Sequence, residues 1–102
     1  METTSSQSVV VLNRLGLHFR PADLIVRTAI RFQSQIEIEK DGQAVDCKSI
    51  LSILTLAAVQ GTPLIVRATG PDAVEAVQAL SELFAQSFHE NDTEVASPPT
   101  TN

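Results

Sequence analysis

Several features that mark common functional classes are scarce in this chain of 102 residues or missing from it. Cysteine occurs once, at Cys47, so the chain cannot form a disulfide within itself, and we expect this side chain to serve packing. The two histidines lie far apart without the spacing of a metal-binding motif, which predicts no bound metal. There is no glycine-rich nucleotide-binding loop either, and we expect no cofactor.

Basic residues and long apolar runs are also scarce. Lysine and arginine total 7 against 12 aspartates and glutamates, and this acidic balance argues against binding to nucleic acid or to anionic lipid. No apolar run approaches the roughly 20 residues of a membrane span, and residues 1–7 lack the basic and apolar regions of a signal peptide. We therefore expect a cytoplasmic protein with protein partners and a single modest core.

The pattern of apolar residues predicts seven elements. In chain order they are a strand over residues 9–12, a helix over 21–32, strands over 35–39 and 43–46, a short helix over 49–54, a strand over 64–69 and a final helix opened by residues 70–72. This order predicts an α+β fold. We expect an open-faced sandwich, in which two long helices and one short helix cover one face of a four-stranded, mainly antiparallel sheet.

Polar segments flank the predicted domain. We expect residues 1–7 to form a flexible N-terminus and residues 8–88 to form the folded domain. The last segment, residues 89–102, is polar, contains Pro98-Pro99 and has no helical periodicity, which predicts a disordered tail. The second histidine, His89, opens this tail, and we expect it to be exposed and inert.

The most informative stretch is residues 16–22, Gly-Leu-His-Phe-Arg-Pro-Ala, where His18 precedes a predicted helix start. Pro21 suits the first helical turn because its φ is fixed near the helical value and its missing N–H would be unpaired there. The start of a helix attracts anions such as phosphate, and Arg20 adds a cation. An uncharged imidazole nitrogen is itself a nucleophile. The stretch therefore predicts a phosphoryl acceptor, with a plain capping or surface histidine as the alternative.

Residues 16–22 resemble the phosphorylation-site motif of the HPr family, the histidine-containing phosphocarriers of the phosphoenolpyruvate:sugar phosphotransferase system. Residues 46–51, 55–56 and 60–62 resemble the regulatory-serine segment of the family and the turn that leads to its last strand, with matching spacing. The resemblance runs from about residue 9 to residue 88. It implies the HPr-like fold, whose order of elements agrees with the predicted one.

This resemblance implies a phosphoryl-transfer intermediate rather than an independent enzyme. By analogy, His18 accepts a phosphoryl group on Nδ1, as a pros-phosphohistidine, from phosphorylated enzyme I and passes it to EIIA-type proteins. Arg20 and the backbone N–H groups at the helix start would stabilise the phosphoryl oxygens. Sequence places no second acid or base beside His18, which also argues against an independent enzyme.

Ser49 has two interpretations. It resembles the regulatory serine that an HPr kinase/phosphorylase modifies in many bacteria. A serine at the start of a short helix is also explained as a plain N-cap. Both roles are compatible, because a phosphate at the cap would interact favourably with the helix dipole and add negative charge beside an apolar docking surface.

Apolar residues around the two sites, together with one arginine of the first helix, are expected to bind partner proteins, with a place in the core as the alternative for some of the apolar ones. They are Leu17, Phe19, Arg27, Ile50, Leu51 and Leu54. Three residues depart from the family pattern, because Phe19 replaces a small residue or threonine, Ile30 replaces a lysine and Ala57 replaces a glycine. We expect a monomer, and these departures leave the choice of partner open.

Two other functions fit the sequence. A phosphocarrier of a nitrogen-related or other regulatory branch of the phosphotransferase system would keep His18 and Arg20 and would differ in its partners. A small-ligand-binding regulatory module of ferredoxin-like shape would instead leave His18 as an ordinary loop residue. Dimerisation with an amino acid, without phosphate uptake, would identify that module.

Overall fold

Four strands and three helices are found in residues 2–90, the part of the chain that the computed structural model describes. In chain order they are β1 (Thr3–Val10), α1 (Phe19–Ala29), β2 (Gln35–Lys40), β3 (Gln43–Asp46), α2 (Ile50–Leu54), β4 (Pro63–Gly70) and α3 (Ala73–Ala85), followed by a 3₁₀ turn (Ser87–His89). The predicted order of elements is therefore confirmed.

The strands form one antiparallel sheet in the order β1-β4-β2-β3. Alternate residues of β4 are buried, because successive side chains of a strand point to opposite faces of the sheet. α3 packs against β1 and β4, and α1 packs against α2 and α3. These contacts confirm the α+β open-faced sandwich, with one short and two long helices on the sheet.

The core lies between the helices and the covered face of the sheet. α1 contributes Ala22, Ile25 and Ala29, which recur at helical spacing, and the sheet contributes residues such as Ile38 and Val66. Cys47 belongs to the same core and has no exposed surface. Burial raises the pKa of its thiol, and the nearby negative charges of Asp46 and Glu37 raise it further. These surroundings suit the packing role that we expected for the single cysteine.

The first strand begins earlier and ends earlier than the sequence predicts. Residues 3–7 were expected to be flexible, yet the whole strand pairs with β4, from Thr3 opposite Gly70 to Val10 opposite Pro63. The expectation is therefore wrong for these residues. Their polar side chains do not produce the apolar pattern of a buried strand. The backbone N–H and C=O groups of a strand can nevertheless form the hydrogen bonds of the sheet with any type of side chain.

The C-terminal boundary also differs from the prediction. His89 and Glu90 were assigned to the disordered tail, but their N–H groups donate to the carbonyls of Gln86 (3.0 Å) and Ser87 (2.9 Å). Phe88, between them and α3, is fully buried and anchors this turn. The expectation of disorder is wrong for His89 and Glu90, although His89 is exposed as predicted. Residues 91–102, the rest of the predicted tail, lie outside the described residues.

Asp72 ties the connection between α1 and β2 to the start of α3. Its carboxylate accepts hydrogen bonds from Ser34 Oγ (2.6 Å) and from the N–H groups of Gln33 and Ser34 (2.9 Å each). These donors stabilise the ionised form, the Ser34 hydroxyl most of all, and so lower the pKa of the Asp72 carboxyl. These hydrogen bonds hold the segment that follows the C-terminal end of α1, whereas His18 lies at the N-terminal end of that helix.

Ala57, in the loop after α2, has a left-handed backbone with a φ of +49°. An L-residue in this conformation is disfavoured by roughly 1–2 kcal/mol, because its Cβ approaches the following carbonyl oxygen. Glycine has no Cβ and adopts the conformation freely. This conformation suits the glycine that the resemblance to the HPr family implies at this position.

We expect Ala57→Gly to raise the free energy of unfolding by about 0.5–1 kcal/mol, since relief of the backbone strain exceeds the added freedom of glycine in the unfolded chain. Urea unfolding followed by circular dichroism measures the change. Ala79→Gly is the matched control, because the same substitution inside α3 should lower the free energy of unfolding by about 1 kcal/mol. A destabilised Ala57→Gly protein would contradict the role assigned to the left-handed backbone.

Candidate functional site

His18 lies at the N-cap position of α1, directly before the first helical residue. Its backbone is extended, with φ −79° and ψ −169°, and its carbonyl accepts the N–H of Ala22 at 3.1 Å, which begins the hydrogen bonding of the helix. The imidazole makes no capping hydrogen bond to the first turn. The interpretation of His18 as a plain side-chain cap therefore fails.

The first turn of α1 leaves two backbone donors for an anion. The N–H groups of Phe19 and Arg20 have no acceptor among residues 2–90, as expected for a turn without a preceding helical carbonyl. Pro21 is the third helical residue, where its missing N–H costs no hydrogen bond. The exposed side chain of Arg20 forms no ion pair with another described residue. Donors, helix dipole and guanidinium thus combine beside His18 to favour a phosphoryl group.

Glu90 contacts the His18 ring from the other end of the folded chain. Its Oε2 lies 2.9 Å from Nε2 of His18, and the exposed fractions of the two side chains are 15% and 35%. No acid or base was predicted beside His18, so the role of Glu90 was missed. No periodic or motif signal marks Glu90, and 72 positions separate it from His18, so only the fold brings the pair together.

Buried Asn13 joins Glu90 to the loop that carries His18. Its Nδ2 donates to the Gly16 carbonyl at 2.7 Å and to Glu90 Oε1 at 3.1 Å. Both partners accept hydrogen bonds only, and this fixes the orientation of the amide. Oδ1 of Asn13 is buried without a partner in the part of the chain that is described. The hydrogen-bonded unit of Asn13, Glu90 and His18 was not predicted.

Gly16 allows the loop that carries His18 to lie close to the backbone of Ala58. Its φ is +72°, and a Cβ there would lie only 2.5 Å from the carbonyl oxygen of Ala58, so no larger residue fits without movement. The next residue, Leu17, donates its N–H to the same oxygen at 2.9 Å. This close contact fixes the backbone one residue before His18.

The predicted docking residues separate into three groups. Phe19 and Leu51 are exposed, at 62% and 77%, whereas Ile50 and Leu54 are half-buried and pack against the core. Leu17 is only 4% exposed and belongs to the core, so its assignment to a docking surface is wrong. Its N–H donates to the Ala58 carbonyl at 2.9 Å, a contact with a distant segment that the sequence neighbours of Leu17 do not reveal.

Arg27, the predicted basic docking residue, is exposed on the last turn of α1. Its Nε lies 2.9 Å from Oδ2 of Asp23, an i,i+4 ion pair at the surface. Seven residues separate Arg20 from Arg27, close to two helical turns, so both project from the same face of α1. The two arginines therefore place positive charge along one side of this helix.

Ser49 is the N-cap of α2. Its Oγ accepts the N–H of Ser52 at 3.2 Å, which confirms the capping interpretation. The neighbouring Lys48 donates from Nζ to the carbonyl of Phe32 at 2.8 Å, and α2 packs against α1. The two helices whose N-cap positions are His18 and Ser49 are thus in contact.

Residues 2–90 contain no group of three or more histidine, cysteine, aspartate or glutamate side chains that would hold a metal ion. No helix in the same range is both long enough and apolar enough to cross a membrane.

Comparison with known proteins identifies the family. A model of the family described as "PTS HPr component phosphorylation site" matches residues 5–86. The chain is 45% identical over 83 residues to the phosphocarrier protein HPr of Xylella fastidiosa (strain 9a5c), covering 81% of this chain and 93% of that protein. It is 44% identical over 84 residues to the phosphocarrier protein HPr of Treponema pallidum (strain Nichols), covering 82% and 96%.

A solved structure gives the same result. The crystal structure of HPr-C-His from Thermoanaerobacter tengcongensis matches with a TM-score of 0.82 at 41% identity, covering 85% of this chain and 98% of that one. The family match includes His18, Arg20 and Ser49, and ends before Glu90. The chain belongs to the HPr family, the phosphocarrier proteins of the phosphotransferase system.

Proposed function

We propose that His18 is the residue that carries the phosphoryl group, taking it from phosphorylated enzyme I and giving it to EIIA-type proteins. The observation that carries this proposal is the N-cap position of His18, beside the N–H groups of Phe19 and Arg20 and the Arg20 guanidinium, none of which has a partner among residues 2–90. An anion attached to the ring would meet these donors without any rearrangement of the helix.

The transfer exchanges one N–P bond for another. The Nδ1 lone pair of His18 forms a bond to phosphorus while the N–P bond of the donor histidine breaks, and that electron pair returns to the donor ring. Donor and product are both phosphoramidates, so the exchange is reversible and keeps a high transfer potential. The contact of Nε2 with Glu90 supports Nδ1 as the attacking atom, because Nε2 is already engaged.

The docking surface that we propose consists of exposed Phe19 and Leu51 with half-buried Ile50 and Leu54. Apolar side chains exposed beside a reactive group are typical of a protein interface. Arg20 and Arg27 border this surface on α1 and would attract an acidic partner. We propose that the protein acts in the cytoplasm as a monomer, without a cofactor.

Membership of the family favours a carrier over the ligand-binding regulatory module. The sugar branch and the nitrogen-related branch require the same chemistry at His18. Parallel assays with enzyme I of each branch separate the two, because the branch that phosphorylates the protein faster is its own.

We expect His18→Ala to abolish phosphorylation, because it removes the accepting nitrogen. The purified protein is incubated with phosphoenolpyruvate and enzyme I, and mass spectrometry detects an acid-labile phosphoryl adduct. His89→Ala is the matched control, since it removes the other histidine of the chain and should leave the adduct intact. An adduct that persists in His18→Ala, or is lost in His89→Ala, would refute the assignment.

Arg20→Ala should slow phosphoryl transfer roughly 10- to 100-fold with little change in unfolding, because the guanidinium acts on the anion and the side chain is exposed. Rapid-quench kinetics with phosphorylated enzyme I measures the rate. Arg31→Ala removes an equal charge from an exposed position beyond the end of α1 and should transfer at nearly the wild-type rate. Equal rates for Arg20→Ala and wild type would exclude this role.

We also propose Ser49 as a site of regulatory phosphorylation by an HPr kinase/phosphorylase. A phosphate on Oγ would lie at the start of α2, next in sequence to half-buried Ile50 and on a helix that packs against α1. It would leave the helix dipole satisfied and place negative charge within the apolar docking surface.

Ser49→Asp should slow transfer from enzyme I to His18 by about 10-fold or more, because desolvating one added charge at an interface is costly. Ser49→Asn is the matched control, since asparagine caps a helix as well as aspartate but carries no charge. Stability should be close to wild type for both variants. If both variants accept the phosphoryl group equally fast, Ser49 serves only as a cap.

A further inference from the structure

Among residues 2–90, the side chain of Glu90 makes the hydrogen bond to the His18 ring, at Nε2. We propose that Glu90 is a positioning residue, whose carboxylate holds the Nε2–H of His18, keeps the reactive lone pair on Nδ1 and stabilises the phosphorylated ring. The proposal rests on the proposed function of His18. It concerns a residue outside the range that the family model matches, residues 5–86.

The contact determines which ring nitrogen is the nucleophile. An ionised carboxylate can only accept hydrogen bonds, so at 2.9 Å from Oε2 the Nε2 atom must be the donor. In the neutral imidazole the proton then lies on Nε2 and the lone pair on Nδ1. Glu90 thereby selects the tautomer that is competent to attack phosphorus through Nδ1.

The carboxylate is itself held in place. Its second oxygen, Oε1, accepts Nδ2 of buried Asn13 at 3.1 Å, and only 15% of the Glu90 side chain is exposed. Asn13 also binds the carbonyl of Gly16, two residues before His18. Asn13 thus holds both the loop that carries the ring and the carboxylate that orients it, and this rigid arrangement suits a positioning role.

An unusual stretch of backbone brings Glu90 to the ring. Ser87, Phe88 and His89 all have left-handed φ values, +51°, +55° and +63°, which non-glycine residues rarely adopt. Phe88 is fully buried and its ring meets Phe84 edge to face, with centroids 4.8 Å apart. Such a conformation persists only where surrounding contacts enforce it. Its result here is to turn the chain after α3 back to His18.

The chemistry of the transfer gives the carboxylate a second task. When Nδ1 shares its lone pair with phosphorus, the His18 ring keeps its Nε2–H and becomes formally positive. The broken bond leaves its electron pair on the donor ring, so no proton has to leave His18. A carboxylate on Nε2–H stabilises this positive ring, as a carboxylate does for the histidine of a hydrolytic triad. When the group moves on to an acceptor, the ring returns to its neutral form.

Single-turnover kinetics with phosphorylated enzyme I test the proposal on the full-length protein. Glu90→Gln and Glu90→Ala should each slow transfer to His18 by about 10-fold, the rate equivalent of one hydrogen bond to a charged group. Glu90→Asp restores the charge on a shorter side chain and should recover part of the rate. Glu82→Gln, which removes the same charge from an exposed position of α3, should transfer at the wild-type rate.

Nitrogen NMR of the His18 ring gives signals that would stay the same in the variants if Glu90 only stabilised the fold. In the wild type we expect a protonated Nε2, with a proton protected from solvent exchange, and an unprotonated Nδ1. Glu90→Ala should lose that protection while its unfolding midpoint stays close to wild type. These signals need no phosphoryl transfer and therefore test the contact by itself.

The outcomes separate the two proposals. Failure of enzyme I to phosphorylate the wild type would overturn the proposed function, whatever the ring signals show. A phosphorylated wild type with Glu90→Gln and Glu90→Ala transferring at the same rate or faster would overturn only the role of Glu90. A faster rate would identify its negative charge as a brake on the incoming phosphoryl group. Unchanged ring signals in Glu90→Ala would overturn the tautomer selection.

Discussion

The N–H groups of Phe19 and Arg20 at the start of α1 have no acceptor among residues 2–90, and the site depends on this constraint. Every helix begins with donors that no helical carbonyl can accept, and most helices use a side chain to cap them. His18 occupies the cap position without capping, so Phe19 and Arg20 keep their N–H groups for an anion. The helix can be left uncapped because its other face is buried in the core, where packing rather than capping stabilises it.

Local signals in the sequence predict most of the fold and the centre of the site. Helical spacing marks α1 and α3, and the stretch around Pro21 places His18 before a helix. What the sequence did not reveal is contact between distant segments. The pairing of residues 3–7 with β4 depends on backbone groups, and Leu17 is buried in a loop whose backbone contacts the distant Ala58 carbonyl. Glu90 reaches His18 only because three residues take backbone conformations for which their side chains give no signal.

The acidic net charge of −5 and the basic character proposed for the docking surface are compatible. Charges at an interface act over roughly a Debye length, about 8–10 Å at physiological ionic strength, so a partner responds to the charges near its binding site rather than to the total. Arg20 and Arg27 share one face of α1, and Asp23 neutralises only part of that charge. The apolar residues Phe19 and Leu51 then supply contact area that does not depend on charge.

Arg20 and Glu90 have opposite charges and would act on different parts of the phosphorylated histidine. The helix start and the Arg20 guanidinium favour the negative phosphoryl oxygens, whereas the Glu90 carboxylate favours the positive ring that carries them. An isolated carboxylate beside an incoming phosphate would repel it. Bound to Nε2–H, the carboxylate instead faces a ring whose positive charge grows as the N–P bond forms at Nδ1. The interaction of the carboxylate with the ring therefore strengthens as the N–P bond forms. Because it is stronger after bond formation than before, it favours transfer to His18.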